Sequence, residues 1–298
     1  MEDLPNSSPA ASVVDDGRAA FDAPIRDALL RLGYLSVDQT AKVISHQAER
    51  GLDFDQAALE LGFITVDDLD SAREQLLTSM ALRDGQRQAI SGDIIVVHEP
   101  SSVRSEAIRL LRTQLIAQHI RTGRRGLAFV AAVDGVGCSF VAANLAAALS
   151  QVGAKILLVD ANMRTPRIAD LFGLDPSAPG LSSFLSLQVS RPERVVNANV
   201  LPGLSVMTAG PVVARPQELL SGSRFRNGMS TLLREYDLVI FDTPPTNSSA
   251  DALTVGAAAG YALVVARRDH SYFNDVSTLI DQLSAARCPV VGSVLNEF

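Results

Sequence analysis

A chain of 298 residues with 47% hydrophobic content is long enough for one α/β domain of ordinary size and a small second module. Its formal net charge of −7 argues against a nucleic-acid partner bound through a broad basic surface. The two cysteines, Cys138 and Cys288, form neither a disulfide framework nor a metal-ligand spacing, which fits a reducing, cytoplasmic setting. The sequence shows no signal peptide, and its most apolar long run, residues 252–266, is interrupted by glycines, so we expect no direct membrane insertion.

The first 80 residues divide into a polar tail and a repeated segment. Residues 1–22 hold few large apolar groups, and we expect a disordered tail there. Residues 23–80 contain a weak internal repeat, because the pattern of residues 30–36 returns at residues 59–65. Each copy predicts helix, turn and helix, and therefore a small all-helical domain.

Turn and cap residues support the repeat. In each copy a glycine suits a helix end that needs positive φ, and a hydroxyl residue can cap the next helix. These residues are Gly33 and Ser36 in the first copy, and Gly62 and Thr65 in the second. Gln39 completes a capping box, whereas Asp68 only approximates one. The module resembles the N-terminal domain of type II secretion and pilus assembly ATPases, which implies a protein-docking role.

A linker and a longer α/β pattern follow. Residues 81–102 contain glycines and a proline and predict a linker with one short extended piece at residues 94–97. From residue 103 onward, helical stretches alternate with largely apolar runs of strand length. These runs are residues 127–132, 155–159, 204–208, 238–241, 262–266 and 290–295. Such a pattern indicates a parallel sheet covered by helices on both faces, and the fold class is α/β.

The strongest chemical signal is residues 132–139, which follow a predicted strand and precede a helix predicted at residues 141–150. This is the position of a P-loop, whose backbone N–H groups cradle phosphates. Gly135 and Gly137 permit a close backbone approach, and the Ser139 hydroxyl can ligate Mg²⁺. Taken alone, the run is equally compatible with a glycine turn in any doubly wound domain.

Two strand-end aspartates favour the P-loop interpretation. Asp160 and Asp242 each end an apolar run, and in an open α/β sheet the ligand crevice lies at the carboxyl ends of the strands. Both carboxylates are therefore expected near the phosphates and metal that Ser139 would contact. One such aspartate could simply cap a helix, but this is a weaker explanation for a pair.

Several further stretches make these residues similar to a known family. They are residues 105–115, 142–146, 171–175, 216–220 and 291–296. Together with the P-loop and the aspartate strands, they resemble a bacterial tyrosine kinase (BY-kinase) of the exopolysaccharide chain-length-determinant type. That family is a branch of the P-loop NTPases with a deviant Walker A motif, and the resemblance covers residues 103–298.

The resemblance implies ATP or ADP and Mg²⁺ as cofactors. Asp160 and Asp242 would be the catalytic residues, and with Ser139 they would form the metal site. The residues implied in cofactor binding are Gly135, Val136, Gly137, Cys138, Ser139, Phe140, Arg164 and Asn296.

The resemblance also implies partners. In this family, the stretch that matches Glu106, Arg109 and Arg112 associates catalytic domains into rings, although spacing alone favours a solvated charged helix face. A membrane-embedded polysaccharide co-polymerase, or chain-length determinant, is the implied partner. It would hold this cytoplasmic chain at the inner face of the plasma membrane.

The sequence departs from the family at three places. The P-loop lysine is replaced by Cys138, the second aspartate of the D-x-D-x-R pattern is Asn162, and no tyrosine-rich tail follows residue 298. These departures favour a pseudokinase that regulates polymer length, with a weakened autokinase as the alternative. A positioning ATPase that moves cargo on DNA or membrane is disfavoured by the absence of a basic surface signal.

Overall fold

The computed structural model describes the backbone of residues 15–79 and 88–297, and the side chains of residues 22–73, 88–120 and 122–297. The described residues fall into two compact units. One comprises residues 15–79 with 115–124, and the other comprises residues 88–114 with 125–297. Residues 115–124, which the sequence analysis assigns to the α/β domain, thus group with the helical unit. Within the described ranges, no helix is both long and apolar enough to span a bilayer.

The helical unit begins earlier than expected. Its helices are α1 (Asp15–Arg31), α2 (Val37–Arg50), α3 (Phe54–Glu60) and α4 (Val66–Ser79). The expected disordered tail, residues 1–22, lies outside the described residues up to residue 14, but residues 15–22 are helical. The sequence of residues 15–22 contains two alanines, which are strong helix formers.

The repeat predicted in this unit is present in the structure. Gly33 and Gly62 have φ of +76° and +65°, which glycine adopts without steric cost. Ser36 and Gln39 form the expected capping box, with N–H···O distances of 3.2 and 2.9 Å. Thr65 and Asp68 bond in the same reciprocal way, at 3.2 and 2.8 Å. The apolar faces of both copies meet in one core, formed by Ala28, Leu29, Leu35, Val43, Phe54, Ala57, Ala58, Ile64, Leu69 and Ala72.

The remaining chain, apart from residues 115–124, forms a layered α/β unit. Its helices are α5 (Ile95–His98), α6 (Val103–Gln118), α7 (Cys138–Ser150), α8 (Ile168–Leu171), α9 (Leu181–Leu185), α10 (Pro216–Ser221), α11 (Ser223–Glu235), α12 (Asp251–Ala259) and α13 (Phe273–Ala285). Its strands are β1 (Gly126–Val130), β2 (Ile156–Asp160), β3 (Asn197–Leu201), β4 (Leu204–Met207), β5 (Leu238–Asp242), β6 (Ala262–Arg267) and β7 (Val290–Asn296). Short 3₁₀ turns lie at Ile120–Thr122 and Pro192–Val195.

All seven strands join one sheet in the order β3-β4-β2-β5-β1-β6-β7. Every pairing is parallel except that of β3 with β4. The six predicted apolar runs are all strands, and the predicted α/β class is confirmed. The sequence analysis did not predict β3, because this antiparallel edge strand is largely exposed and its sequence, NANVL, lacks an apolar run.

The segment interpreted as a linker is packed onto the α/β unit from residue 88 onward. The extended piece expected at residues 94–97 is wrong, since Ile95–His98 forms the single helical turn α5 with buried apolar side chains. The Ser91 N–H donates to the Leu171 carbonyl at 3.0 Å. A Cβ on Gly173 would lie 2.1 Å from the Ala89 carbonyl oxygen, so only glycine fits this approach.

One buried side chain fastens this segment to α7. Asn144 accepts from the Val96 N–H at 3.3 Å, and its amide donates to the carbonyls of Asp93 at 2.8 Å and Phe140 at 3.0 Å. The Asn144 side chain is fully buried, so water cannot replace these bonds. The turn at residues 91–93 is thereby held against the helix that follows the P-loop sequence.

We expect Asn144→Leu to lower the free energy of unfolding by about 2–4 kcal/mol, because it leaves the buried Val96 N–H and the Asp93 carbonyl without partners. Urea denaturation measures the change. Gln151→Leu is the control, since the exposed Gln151 amide donates only one bond, to the Val96 carbonyl at 3.2 Å. Equal losses in the two variants would contradict the role given to Asn144.

Candidate functional site

The glycine turn between β1 and α7 has the backbone of a P-loop. Gly135 and Gly137 have φ of +71° and +85°, and α7 begins at Cys138, directly after the second glycine. The expected helix start at residue 141 is therefore three residues too late. Cys138 and Ser139 begin the first turn of α7, where backbone N–H groups have no carbonyl partner within the helix and can bind an anion.

The turn lines a cavity of about 310 Å³ at the carboxyl ends of the parallel strands. All six P-loop residues proposed as cofactor contacts border it, namely Gly135, Val136, Gly137, Cys138, Ser139 and Phe140. The other lining residues are Asp93, Ala131, Val133, Asp134, Asn162, Arg167, Leu171, Thr243 and Pro245. Asp160, Asp242, Arg164 and Asn296 do not line it.

Asp242 lies directly beneath the loop. The Ser139 hydroxyl donates to its Oδ2 at 2.5 Å, whereas its buried Oδ1 has no hydrogen-bond partner among the described residues. Burial raises the pKa of Asp242 to about 6, against the lowering effect of the hydrogen bonds from Ser139 and Cys138. A buried carboxylate oxygen without a partner among the described residues, next to the Ser139 hydroxyl that borders the cavity, fits a site for Mg²⁺ and its water ligands.

Cys138 adds no charge to the site. Burial raises the pKa of its thiol well above the usual range, and the neighbouring Asp242 carboxyl raises it further. The side chain is therefore a neutral thiol at physiological pH. It can neither neutralise phosphate charge nor act as a reactive thiolate.

Asp160 is close to Asp242 but accepts its hydrogen bonds from backbone N–H groups. The two residues are in register on neighbouring strands, and burial, followed by the charge of Asp242, raises the pKa of Asp160 well above its usual value. Its Oδ1 accepts from the Asn162 N–H at 3.1 Å. Its Oδ2 accepts from the N–H groups of Arg167 and Ile168 at 3.2 and 3.1 Å. Asp160 therefore anchors the loop that leads into α8.

The next two residues of the predicted pattern also have internal partners. Arg164, expected to bind the cofactor, forms a two-bond ion pair with the buried Asp251 at 2.8 and 3.4 Å. Asn162 borders the cavity, but its side-chain oxygen accepts from the N–H groups of Arg164 and Thr165 at 3.3 and 3.0 Å. An amide at this position stabilises the loop without adding negative charge near the phosphates.

Three side chains that do not line the cavity hold the P-loop. His270 Nε2, Arg267 and Asn296 donate to the consecutive carbonyls of residues 134–136, at 2.8, 3.1 and 2.9 Å. Asn296 thus supports the loop backbone, which differs from the expected contact with the cofactor. In a trans peptide the N–H points away from the C=O, so holding these carbonyls also fixes the direction of the amide groups in the same peptides.

Sequence reasoning missed Arg267, His270, Asp93, Arg167 and Asp251. Arg267 and His270 lie 132 and 136 residues from the carbonyls that they contact, and no local pattern marks such pairs. For Arg167 a local signal existed, because it follows a proline and directly precedes the short helix α8.

The residues expected at a ring interface have internal contacts. Arg109 donates to Glu106 at 2.8 Å and also contacts the Pro100 carbonyl, and Arg112 donates to the Ala148 carbonyl at 3.2 Å. The Glu106 side chain nevertheless remains 72% exposed. Of the three residues, Glu106 is the most available to a neighbouring molecule.

Because the pKa of Asp242 is raised, this residue favours folding below about pH 4, and that contribution is lost as the pH rises through about 6. We expect Asp242→Asn to leave the free energy of unfolding unchanged at pH 4 but to raise it by on the order of 2–3 kcal/mol at pH 7.5, without nucleotide or Mg²⁺. Denaturation across this pH range measures the effect. Asp281→Asn, at an exposed position on α13, serves as the control. Parallel pH profiles for all three proteins would contradict the assignment.

Comparison with known proteins identifies the family of this site. The family model described as ParA: NUBPL iron-transfer P-loop NTPase matches residues 124–297. The chain is 32% identical over 217 residues to the tyrosine-protein kinase YwqD of Bacillus subtilis (strain 168), covering 73% of this chain and 91% of YwqD. It is 30% identical over 257 residues to the tyrosine-protein kinase wzc of Salmonella typhimurium, covering 83% of this chain and 34% of the relative.

A solved structure agrees with these relatives. The kinase domain of Escherichia coli tyrosine kinase ETK is 33% identical, with a TM-score of 0.65, over 68% of this chain and 79% of that domain. Several curated relatives are much longer, and the chain spans about a quarter to a third of their length. The chain belongs to the bacterial tyrosine-kinase family, with its ParA-like P-loop NTPase domain.

Proposed function

We propose that this chain is a nucleotide-binding regulator of exopolysaccharide polymerisation or export that has the tyrosine-kinase fold and is impaired in phosphoryl transfer. One observation carries the proposal. The binding parts of the P-loop, including the Ser139–Asp242 pair, are retained, whereas the lysine position holds the neutral thiol of Cys138.

Retained binding is supported by the loop backbone and its surroundings. Gly135 and Gly137 allow close approach of phosphate, and α7 begins directly after Gly137, so that its N-terminus faces the loop. The proposed ligands are ATP or ADP with Mg²⁺, which Ser139 and Asp242 would hold. Bound Mg²⁺ would partly neutralise the charge of the phosphates.

Impaired transfer is supported by the charges at the site. Loss of one charge-assisted donor to a transferring phosphoryl group costs on the order of 3 kcal/mol, by analogy with removal of a single transition-state donor. This corresponds to a rate decrease of about a hundredfold. Asp160, the other proposed catalytic carboxylate, already accepts three backbone N–H groups, so its oxygens are less available to an incoming hydroxyl.

The alternative proposal is an active but slow protein-tyrosine autokinase that controls polysaccharide chain length. It is supported by relatives that are named as tyrosine-protein kinases. It requires another group to supply the missing positive charge during transfer. The two proposals differ in the amount of phosphotyrosine formed, and not in nucleotide binding.

We also propose the partners of this chain. A membrane-embedded polysaccharide co-polymerase would hold it at the cytoplasmic face of the membrane, and the helical unit would act as a docking module. The first residues of the capped helices, Val37 and Val66, are apolar and exposed at matching positions of the two repeats. Assembly into a homo-oligomeric ring through Glu106, Arg109 and Arg112 is a further proposal.

Phosphotyrosine formation separates the two functions. We expect the unmodified protein to bind Mg·ADP by calorimetry but to phosphorylate a synthetic tyrosine-containing polymer at least about a hundredfold more slowly than the Cys138→Lys variant. A synthetic acceptor is used so that the result does not depend on the tyrosines of this chain. Cys138→Ser is the matched control, because it stays neutral and should behave as the unmodified protein does.

Two results would contradict the proposal in different ways. Rapid phosphorylation by the unmodified protein would establish the autokinase alternative. Failure of the unmodified protein to bind ADP or ATP would refute the nucleotide-binding role.

Assembly can be tested at Glu106, whose exposed side chain contributes little to the fold. We expect Glu106→Arg to lower the molar mass measured by light scattering in the presence of Mg·ADP, because it reverses the charge offered to the arginines of a neighbouring copy. Glu235→Arg, at the exposed end of α11, should leave the mass unchanged. A monomeric mass for the unmodified protein at every concentration would refute the ring.

A further inference from the structure

Arg167 is the single lysine or arginine among the residues that line the P-loop cavity. Two of the lining residues, Asp93 and Asp134, are exposed acids, and Cys138 is neutral. Without Arg167, the charged side chains at this cavity would all be acidic. A nucleotide carries several negative charges, so a cationic side chain at the same cavity favours its binding.

The backbone of Arg167 is fixed, whereas its side chain is exposed. Its N–H and that of Ile168 donate to Asp160 Oδ2, and Asn162 holds the preceding turn through its side-chain oxygen. Within the part of the chain that the structure describes, the Arg167 guanidinium has no hydrogen bond or ion pair. Its five N–H donors are therefore available to a ligand.

The other arginines around the site are already engaged. Arg164, three residues earlier on the same loop, is neutralised by the buried Asp251 at 2.8 Å. Arg267 donates to the Gly135 carbonyl and does not line the cavity. Arg167 differs from both, because it borders the cavity and its guanidinium has no hydrogen bond or ion pair within the described residues.

We propose that Arg167 contacts the phosphates of the bound nucleotide and supplies the positive charge that Cys138 removed from the P-loop. A guanidinium can donate two parallel bonds to a phosphate, so a cation from a different loop can serve the same anion. This inference rests on the proposed nucleotide binding, and it identifies Arg167 as a residue on which that binding depends. The D-x-D-x-R loop would then contribute through Arg167, while its own arginine, Arg164, has a structural role.

Calorimetric titration with Mg·ADP tests the inference. We expect Arg167→Gln to raise the Kd about 10- to 100-fold, which is the range for loss of hydrogen bonds to a charged group. Arg167→Lys keeps the charge but loses the paired geometry and should give a smaller increase. Arg226→Gln, at an exposed position on α11, is the matched control and should bind as the unmodified protein does. Circular dichroism and the Tm should be the same for all variants, because the exposed side chain is not part of the core.

A double-mutant cycle then tests replacement of the lysine. In a Cys138→Lys background, we expect Arg167→Gln to raise the Kd by no more than about threefold, because the restored lysine shares the same phosphates. An equally large increase in both backgrounds would overturn the claim that Arg167 replaces the lysine.

Two further outcomes distinguish this inference from the proposed function. If the unmodified protein binds Mg·ADP and Arg167→Gln binds it equally well, the inference fails and the proposed function stands. If the unmodified protein binds no ADP, both fail together.

Discussion

The parallel register of β1, β2 and β5 determines the arrangement of the whole site. Because Asp160 and Asp242 are paired across neighbouring strands, two carboxyl groups are buried side by side below the glycine turn that follows β1. The two carboxyl groups accept hydrogen bonds from different donors. Asp242 accepts from Ser139 and the Cys138 thiol, and Asp160 accepts from three backbone N–H groups. The sheet therefore decides both where phosphates can bind and which carboxyl group is available to a metal.

The substitution at position 138 has two physical effects. A lysine there would place a cation beside Asp242, whereas the thiol leaves two buried acids without a counter-charge, and burial then raises their pKa values. The same change removes a phosphate contact from the P-loop. Under the proposed function, the loss of charge that slows phosphoryl transfer would also change the protonation of the two carboxyl groups beneath the loop.

Much of the fold could be predicted from the sequence because its signals are local. Apolar runs of strand length, glycines at turns and the caps Ser36 and Thr65 all act within a few residues, and the structure contains each of them. The segment 94–97 was mispredicted because a short apolar run is compatible with a buried strand or a buried helix. In β3, the exposed edge position removed the apolar signal altogether.

The site was less predictable because its decisive contacts join distant residues. Family resemblance located the P-loop, but the pair Arg164–Asp251 spans 87 residues and is invisible in either local sequence. Asp160 was expected among the catalytic groups, yet its oxygens hold the loop that carries Arg167. A motif identifies the residue types, whereas the folded backbone decides which of them face the ligand.

The hydrogen bonds of the Asn144 side chain limit which substitutions this position can accept during evolution. It serves one backbone donor and two backbone acceptors at once, and it is fully buried. Aspartate lacks the two amide donors, leucine lacks all polar atoms, and glutamine is one methylene too long for a close-packed site. Position 144 is therefore nearly closed to substitution. A change in the turn at residues 91–93 would therefore need a matching change in α7, even where the P-loop lysine is lost.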